Sequence, residues 1–127
     1  MNPEKVVFGF FILLAATLNF GFCLGEFDNP DHHHAYELFA AIVVNLIATV
    51  LKLGDRTQLG AVMLSTSLVA DLGLIAAAVV WGIGVYGSGE GLTPAVMASV
   101  VSWASGALFA NVVSVILLLV ETVLMRR

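Results

Sequence analysis

The chain has 127 residues, of which 60% are hydrophobic and 11% are charged, and its formal net charge at pH 7 is −4. Because an ordinary soluble domain carries about 25% charged residues, this composition indicates an integral membrane protein. The length allows about four spans of about 20 residues with short connections, and no separate soluble domain. The acidic balance without a basic patch excludes nucleic-acid binding. The sequence contains no nucleophile elbow, phosphate loop or H-E-x-x-H motif, so we do not expect an enzyme.

Charged and turn-forming residues separate four apolar runs along the chain. The runs predict an all-α, membrane-spanning four-helix bundle that forms one domain over residues 1–127, with spans at about 6–25, 31–53, 57–86 and 94–124. Asn29 and Pro30 predict the start of the second span, since Asn caps helices and Pro fits the first helical position. The Gly-rich residues 87–91 predict the loop before the fourth span.

The connection between the second and third spans is predicted to be a tight hairpin that contains Lys52, Asp55, Arg56 and Gln58. Asp55 and Gln58 have the spacing of a capping box, in which Asp55 accepts from backbone amides and Gln58 reaches back. Glu121, near the end of the fourth span, is expected to pair with Lys52 or Arg56. The hairpin is interpreted as a topology signal and a helix cap, and a contact with anionic lipid or a partner protein is the alternative.

The basic residues predict the orientation, because Lys and Arg near span ends are retained on the cytoplasmic side of a membrane. An even number of spans places all five basic residues on that side: Lys5, Lys52, Arg56, Arg126 and Arg127. Both termini are therefore expected to be cytoplasmic. The three His residues and most acidic residues are expected on the opposite side.

Small residues recur at every fourth position of the fourth span. They are Ala98, Ser102, Gly106, Ala110 and Ser114. Lipid tails are as apolar as Leu, so helices in a membrane associate through close packing at small residues and through polar contacts. The ladder predicts a packing face and favours a homo-oligomer, although the partner helix can belong to the same chain or to another copy.

Polar side chains lie near the middle of every predicted span: Asn19, Asn45, Ser67, Asp71, Asn111 and Ser114. In the functional interpretation, Asp71 faces a cavity or an ion path and binds a cation or relays a proton. In the structural interpretation, Asn and Ser neighbours hold Asp71, which only joins the helices. Because four short helices leave little room for a pore, an ion path is expected to need several copies, each contributing Asp71 to a ring.

A second candidate site lies at the outer start of the second span: Asp31, His32, His33, His34 and Glu37. His33 and Glu37 are four residues apart on one helical face and are ligand types suited to Zn²⁺ or another divalent ion. No second set of His ligands completes a tetrahedral site, so the favoured interpretation is an interfacial segment in contact with water and headgroups, and metal binding is the alternative. A third interpretation is a pH sensor, since His beside acidic residues titrates near neutral pH.

The stretches YELFAAIVVNLIATVLKLGDRTQLGAV and SLVADLGLIAAAVVW, together with NPDHHH, resemble a family of small bacterial inner-membrane proteins that is known mainly as an uncharacterised group. The resemblance covers most of the chain and implies a four-span protein of the bacterial inner membrane. It carries no activity, ligand or catalytic residue. The chain lacks the glycine-rich and basic signature of small fluoride channels, and it lacks the early intramembrane Glu of small multidrug transporters.

These observations lead to a main functional hypothesis, a small oligomeric channel or transport protein for a cation or proton. Asp71 is its expected site, and Asn19, Asn45 and Asn111 are its expected polar lining. The alternative is a non-catalytic accessory subunit that packs against a larger membrane complex. A metal or pH sensor built on the His cluster is a third. The expected partners are the bilayer and further copies of the chain, with no cofactor except a divalent metal at the His cluster.

Overall fold

The structure is a computed structural model that describes residues 3–26, 28–55, 57–87, 89 and 91–125. Its helices are α1 (Pro3–Cys23), α2 (Ala35–Lys52), α3 (Gln58–Gly82) and α4 (Pro94–Met125). A 3-10 turn at Pro30–His32 precedes α2, and a π-helical turn at Ile83–Gly87 extends α3. No strand is present in these ranges, and all four helices are long and apolar enough to cross a membrane. The predictions of an all-α fold and of four potential spans are therefore confirmed.

The helices form a four-membered bundle in which consecutive helices are neighbours and α4 returns to pack against α1. Short connections between adjacent helices make the bundle antiparallel. We call the end that contains Lys5 and Lys52 the lysine end, and the opposite end, which contains His32–His34, the histidine end. Among the residues predicted to form the loop before α4, Gly89 and Gly91 are not helical, whereas Gly87 is the last residue of the π-helical turn.

The start of α2 differs from the prediction. Asn29 does act as a cap, since its Oδ1 accepts from Asp31 N at 2.9 Å, but it caps the 3-10 turn. His33 then adopts an extended conformation with φ −129° and ψ 124°, and the α-helix begins only at Ala35. The ring of His33 bonds to the preceding segment, as described below, and this holds the backbone out of the helix.

The predicted capping box of α3 is also wrong. Thr57 occupies the N-cap position, and its hydroxyl accepts from Gly60 N at 2.9 Å. Asp55 instead accepts from the Thr57 amide at 2.9 Å and from the Thr57 hydroxyl at 2.7 Å, which closes the turn between α2 and α3. These bonds lower the pKa of Asp55 from 3.8 to about 2. The stabilisation they give is present above pH 3.8 and is lost as the pH falls through about 2. Arg56 lies outside the described residues.

The small-residue ladder of α4 is divided between two surfaces. Ala110 and Ser114 are buried inside the bundle, whereas Ser102 and Gly106 are exposed and Ala98 is half-buried. A helix advances by about 100° per residue, so a step of four residues adds about 40° and four such steps turn the ladder by about 160°. The five residues therefore do not form one face: the half toward the lysine end packs within the chain.

Helices α3 and α4 approach each other closely at Gly73. A Cβ atom at this position would lie 3.1 Å from the Cβ of Ala107 and 3.1 Å from the carbonyl oxygen of Trp103. One of these neighbours is backbone and belongs to the middle of a long helix, so it has little freedom to move. The absence of a side chain at Gly73 therefore sets the distance between the two helices.

We expect Gly73→Leu to destabilise the protein by about 1–3 kcal/mol, because the added side chain would force α3 and α4 apart. The measurement is thermal unfolding of the detergent-solubilised protein. Gly82→Leu is the matched control, since a Cβ at Gly82 meets no atom within 4 Å. Equal stability of the two variants would show that the close approach at Gly73 is not needed.

Candidate functional site

Asp71 is located in the middle of α3 and is held by two side chains of α2. Asn45 Nδ2 donates to Asp71 Oδ1 at 2.7 Å, and Thr49 Oγ1 donates to Asp71 Oδ2 at 2.7 Å. The side chain of Asp71 is turned into the bundle, and the residue is only 7% exposed. The two described Lys residues pair with other carboxylates, so Asp71 has no ion-pair partner among residues 3–125 as far as they are described.

Four neighbouring polar residues have side-chain atoms that the protein does not satisfy. These atoms are Asn45 Oδ1, Ser67 Oγ, Asn111 Oδ1 and Nδ2, and Ser114 Oγ. Their residues are fully buried, and within the described part of the chain none of the five atoms has a hydrogen-bond partner. Buried polar atoms without partners are rare in proteins because each costs desolvation free energy. We call Asn45, Thr49, Ser67, Asp71, Asn111 and Ser114 the polar layer.

The polar layer is bounded on both sides by apolar side chains. The lysine-side cluster consists of Phe8, Ile12, Ala48 and Met63. The histidine-side cluster consists of thirteen buried residues, Phe22, Cys23, Leu38, Ala41, Ala70, Leu74, Ala77, Met97, Val100, Val101, Ala104, Ala107 and Ala110. On α2 Asn45 lies between Ala41 and Ala48, and on α3 Ser67 lies between Met63 and Ala70. Asn45 and Ser67 are therefore flanked by the two clusters along the bundle axis, whereas Thr49 lies one residue beyond Ala48 and Asp71 one residue beyond Ala70.

The chemistry of the layer is that of a site for a hard cation or a proton. It contains one carboxylate, two amides and three hydroxyl groups from three helices, and oxygen atoms of these types are the preferred ligands of hard cations. A single carboxylate matches the charge of a monovalent ion. The unpartnered amide and hydroxyl groups are equally able to carry hydrogen bonds along a proton path.

Asn19, which the sequence placed with this set, belongs to a different contact. When its amide is oriented so that both bonds form, Nδ2 donates to Ala104 O at 3.0 Å and Oδ1 accepts from Leu108 N at 3.1 Å. Asn19 therefore joins α1 to the backbone of α4 inside the bundle. The structure brings Asn45, Ser67 and Asp71 together but leaves Asn19 outside this group.

A charged cavity of about 720 Å³ is located at the lysine end. It is lined by Glu4, Lys5, Phe8, Leu51, Lys52, Gly54, Asp55, Thr57, Leu59, Glu121 and Leu124. Lys52 Nζ lies 3.2 Å from Asp55 Oδ2 and 4.3 Å from the centre of the Phe8 ring, a cation–π contact. Glu121 accepts from Lys5 Nζ. The sequence had instead suggested Lys52 or Arg56 as its partner.

His33, at the histidine end, is buried and bonded to backbone oxygens. Its Nδ1 lies 2.5 Å from Phe22 O, and its Nε2 lies 2.7 Å from Glu26 O. The ring therefore joins the last turn of α1 and the following loop to the start of α2.

The predicted metal site does not assemble in this conformation. The described residues contain no group of three or more His, Cys, Asp or Glu side chains that could hold a metal ion. Both ring nitrogens of His33 are occupied by carbonyl oxygens, His32 bonds to Glu26 N at 2.9 Å, and His34 and Asp31 are exposed. Glu37 Oε2 lies against α1 at Gly21 instead. Metal binding at these residues stays a prediction that requires His33 to leave its present partners.

Two residues of these sites were missed from the sequence. The spacing of Thr49 could have assigned it to the polar set around Asp71, since it lies one helical turn from Asn45 on the buried face of α2. Its hydroxyl also lies 3.0 Å from Asn45 O of its own helix. This contact is usual for a Thr hydroxyl in a membrane helix, so the sequence gives no sign of the second contact, with Asp71. Lys5 was assigned only to topology, because its contact with Glu121 joins opposite ends of the chain.

We expect His33→Phe to lower the free energy of unfolding by about 1–3 kcal/mol, since it removes both bonds and leaves the Phe22 carbonyl without its partner. Thermal unfolding in detergent is the measurement. His34→Phe is the matched control, because His34 is exposed and makes no capping bond. A loss in both variants of the same size would show that the bonds of His33 contribute nothing specific.

Comparison with known protein families gives one match, to DUF6394, described as a family of unknown function, over residues 32–122. No curated protein and no solved structure matches the chain. The matched region starts at the His cluster and contains α2, α3 and most of α4, and therefore the whole polar layer. It confirms the resemblance to an uncharacterised family. The chain belongs to DUF6394, the family of unknown function whose match covers most of its length.

Proposed function

We propose that the protein transports a cation or a proton across a membrane, with the polar layer as the binding site. The observation that carries this proposal is the set of five unpartnered polar atoms beside a carboxylate that has no ion-pair partner among the described residues. Ionisable groups inside a membrane usually serve ion or proton paths. A cation in the layer would give the four oxygen atoms of this set the partner that the described part of the protein does not supply.

The site in this proposal lies within one chain. The sequence favoured a ring of Asp71 residues from several copies, but the carboxylate of Asp71 points to α2 and is nearly enclosed. The groups without partners are on α2, α3 and α4 of the same bundle. Transport by a single chain therefore requires less rearrangement than exposure of Asp71 to a central pore.

The second candidate is a non-catalytic accessory subunit. It is favoured by the complete hydrogen bonding of Asp71, whose two oxygen atoms each accept from α2. That arrangement joins two helices without any bound ion. It gives no reason for the unpartnered atoms of Asn111 and Ser114, and for this reason we place transport first.

We also propose that the membrane is the bacterial inner membrane and that both termini are cytoplasmic. The described basic residues Lys5 and Lys52 share one end of the bundle, which agrees with the retention of Lys and Arg on the cytoplasmic side. The acidic and histidine-rich connection between α1 and α2 would then face the other side.

We expect Asp71→Asn to reduce cation or proton flux by more than tenfold in liposomes, because the amide removes the negative charge but can still accept from Thr49. The measurement is uptake of H⁺, Na⁺ and K⁺ by the reconstituted protein. Two Ser variants on α3 form a matched pair. Ser67→Ala removes an unpartnered buried hydroxyl and should reduce flux. Ser65→Ala is its control, because it removes an exposed hydroxyl that bonds to Ala61 O of the same helix at 3.0 Å.

The same pair separates the two candidate functions. If the Ser67 hydroxyl has no role in transport, Ser67→Ala should leave transport unchanged. It should also raise the free energy of unfolding, because it removes an unsatisfied buried polar group. Absence of flux in the wild type, or equal flux in the wild type and Asp71→Asn, would overturn the transport proposal and favour the accessory subunit.

We further propose that the protein associates with a second copy through a groove between α3 and α4. The groove has a volume of about 330 Å³ and is lined by Val69, Leu72, Gly73, Ser102, Trp103, Gly106 and Ala107. Ser102 and Gly106 are the exposed part of the small-residue ladder. Small residues at an exposed position let the backbone of another helix approach closely.

We expect Gly106→Leu to weaken this association about tenfold, or about 1.4 kcal/mol, by filling the groove. Native mass spectrometry or light scattering across a concentration series gives the measurement. A Cβ at Gly106 meets no atom within 4 Å, so the variant should leave the fold of a single chain intact. Gly82→Leu, outside the groove, again serves as the control. An unchanged monomer fraction in Gly106→Leu would place any self-association elsewhere.

A further inference from the structure

We propose that the polar layer is reached from the lysine end, through the charged cavity, and that the lysine-side cluster is the gate of this route. The inference rests on the transport function proposed above and assigns the side of the protein from which the site opens. Three features of the structure support it: the position of the cavity, the unequal thickness of the two apolar clusters, and the contacts of the cluster's outer surface.

The charged cavity ends on the lysine-side cluster. Phe8 belongs to both the cavity lining and the buried cluster, and Leu59 belongs to the lining and packs against the cluster. The cluster is therefore the floor of the cavity. The walls carry Lys and carboxylate side chains, which water solvates readily, so the floor is the first apolar barrier that an ion meets from this end.

The barrier below the cavity is thin. Lys52 of the cavity lining is seven residues from Asn45 along α2, and Leu59 of the lining is eight residues from Ser67 along α3, distances of about 10.5 and 12 Å at about 1.5 Å per residue. The lysine-side cluster has four buried residues, whereas the histidine-side cluster has thirteen. On α4, apolar residues of the latter extend from Ala110 to Met97, about 20 Å. An ion therefore crosses less apolar material from the lysine end.

The side chains of the lysine-side cluster are suited to a gate. Apolar constrictions close a path by excluding water, and a small change in width is enough to admit it. Met63 is unbranched and flexible, so it can change rotamer inside the cluster. The ring of Phe8 lies under the Lys52 ammonium group, which also pairs with Asp55 of the α2–α3 turn. Movement of that turn would therefore be transmitted to the floor of the cavity.

The experiment measures access to the layer directly, without requiring transport. Ser67→Cys is introduced in a Cys23→Ala background, and the protein is placed in nanodiscs. A methanethiosulfonate reagent with a trimethylammonium group is then added, and intact-protein mass spectrometry follows its attachment to the thiol. Met63→Ala should raise the rate of modification at least tenfold. Leu74→Ala, a truncation of another fully buried side chain of α3 on the histidine side, should leave it unchanged.

A second variant and a folding measurement distinguish a change in access from misfolding. Ile12→Ala opens the same cluster from α1 and should also raise the rate, while circular dichroism reports whether each variant keeps its helices. An equal effect of Leu74→Ala, or no effect of both Met63→Ala and Ile12→Ala in folded protein, would overturn the inference. The same variants are tested for flux. Faster modification in Met63→Ala and Ile12→Ala, but not in Leu74→Ala, without any flux would retain the gate and reject the transport function.

Discussion

The bonds from Asn45 and Thr49 to Asp71 are the interaction on which the rest of the structure depends. In lipid a polar group has no water to bond to, so each one must find its partner inside the protein. Asp71 meets this constraint by fixing the rotation of α3 against α2. Once α3 has this rotation, Gly73 faces Ala107 of α4 and sets the separation of those helices. Asn19 then joins α4 to α1 and completes the ring of contacts.

A purely structural role explains one half of the polar layer and not the other. The carboxylate of Asp71, the amide nitrogen of Asn45 and the hydroxyl of Thr49 satisfy one another. The side chain of Asn111 is fully buried, and its amide oxygen and nitrogen are both unpartnered within the described chain. An Ala at this position would avoid that cost and would also suit a helix interface rich in Ala. Polar side chains at Asn111 and Ser114 therefore agree better with the proposed binding site than with a purely structural role.

The sequence was sufficient for the number and order of the helices, because charged and turn residues bound each apolar run. It was also sufficient for Asp71, Asn45 and Ser67, whose polarity is conspicuous inside those runs. It was not sufficient for contacts that depend on the rotation of one helix against another. The D-x-x-Q pattern at Asp55 is compatible with a capping box, but Thr57 is the residue that caps α3. The pairing of Lys5 with Glu121 joins residues 116 positions apart, so no local pattern predicts it. The ladder of α4 failed as a single face because its spacing of four residues differs from the helical period.

The asymmetry of the bundle follows from the same distribution of residues. Small side chains are concentrated in the histidine-side cluster, where seven of the thirteen buried residues are Ala or Cys, and they let the helices pack closely over a long distance. The lysine end instead has the bulkier side chains of Phe8, Ile12 and Met63, with the Lys5–Glu121 and Lys52–Asp55 pairs surrounding the cavity above them. Close packing at small residues brings helix backbones together and therefore resists opening, whereas the few long side chains of the lysine-side cluster can move without separating the helices. A site that must open on one side first would therefore open where the barrier consists of side chains rather than of helix backbones in contact.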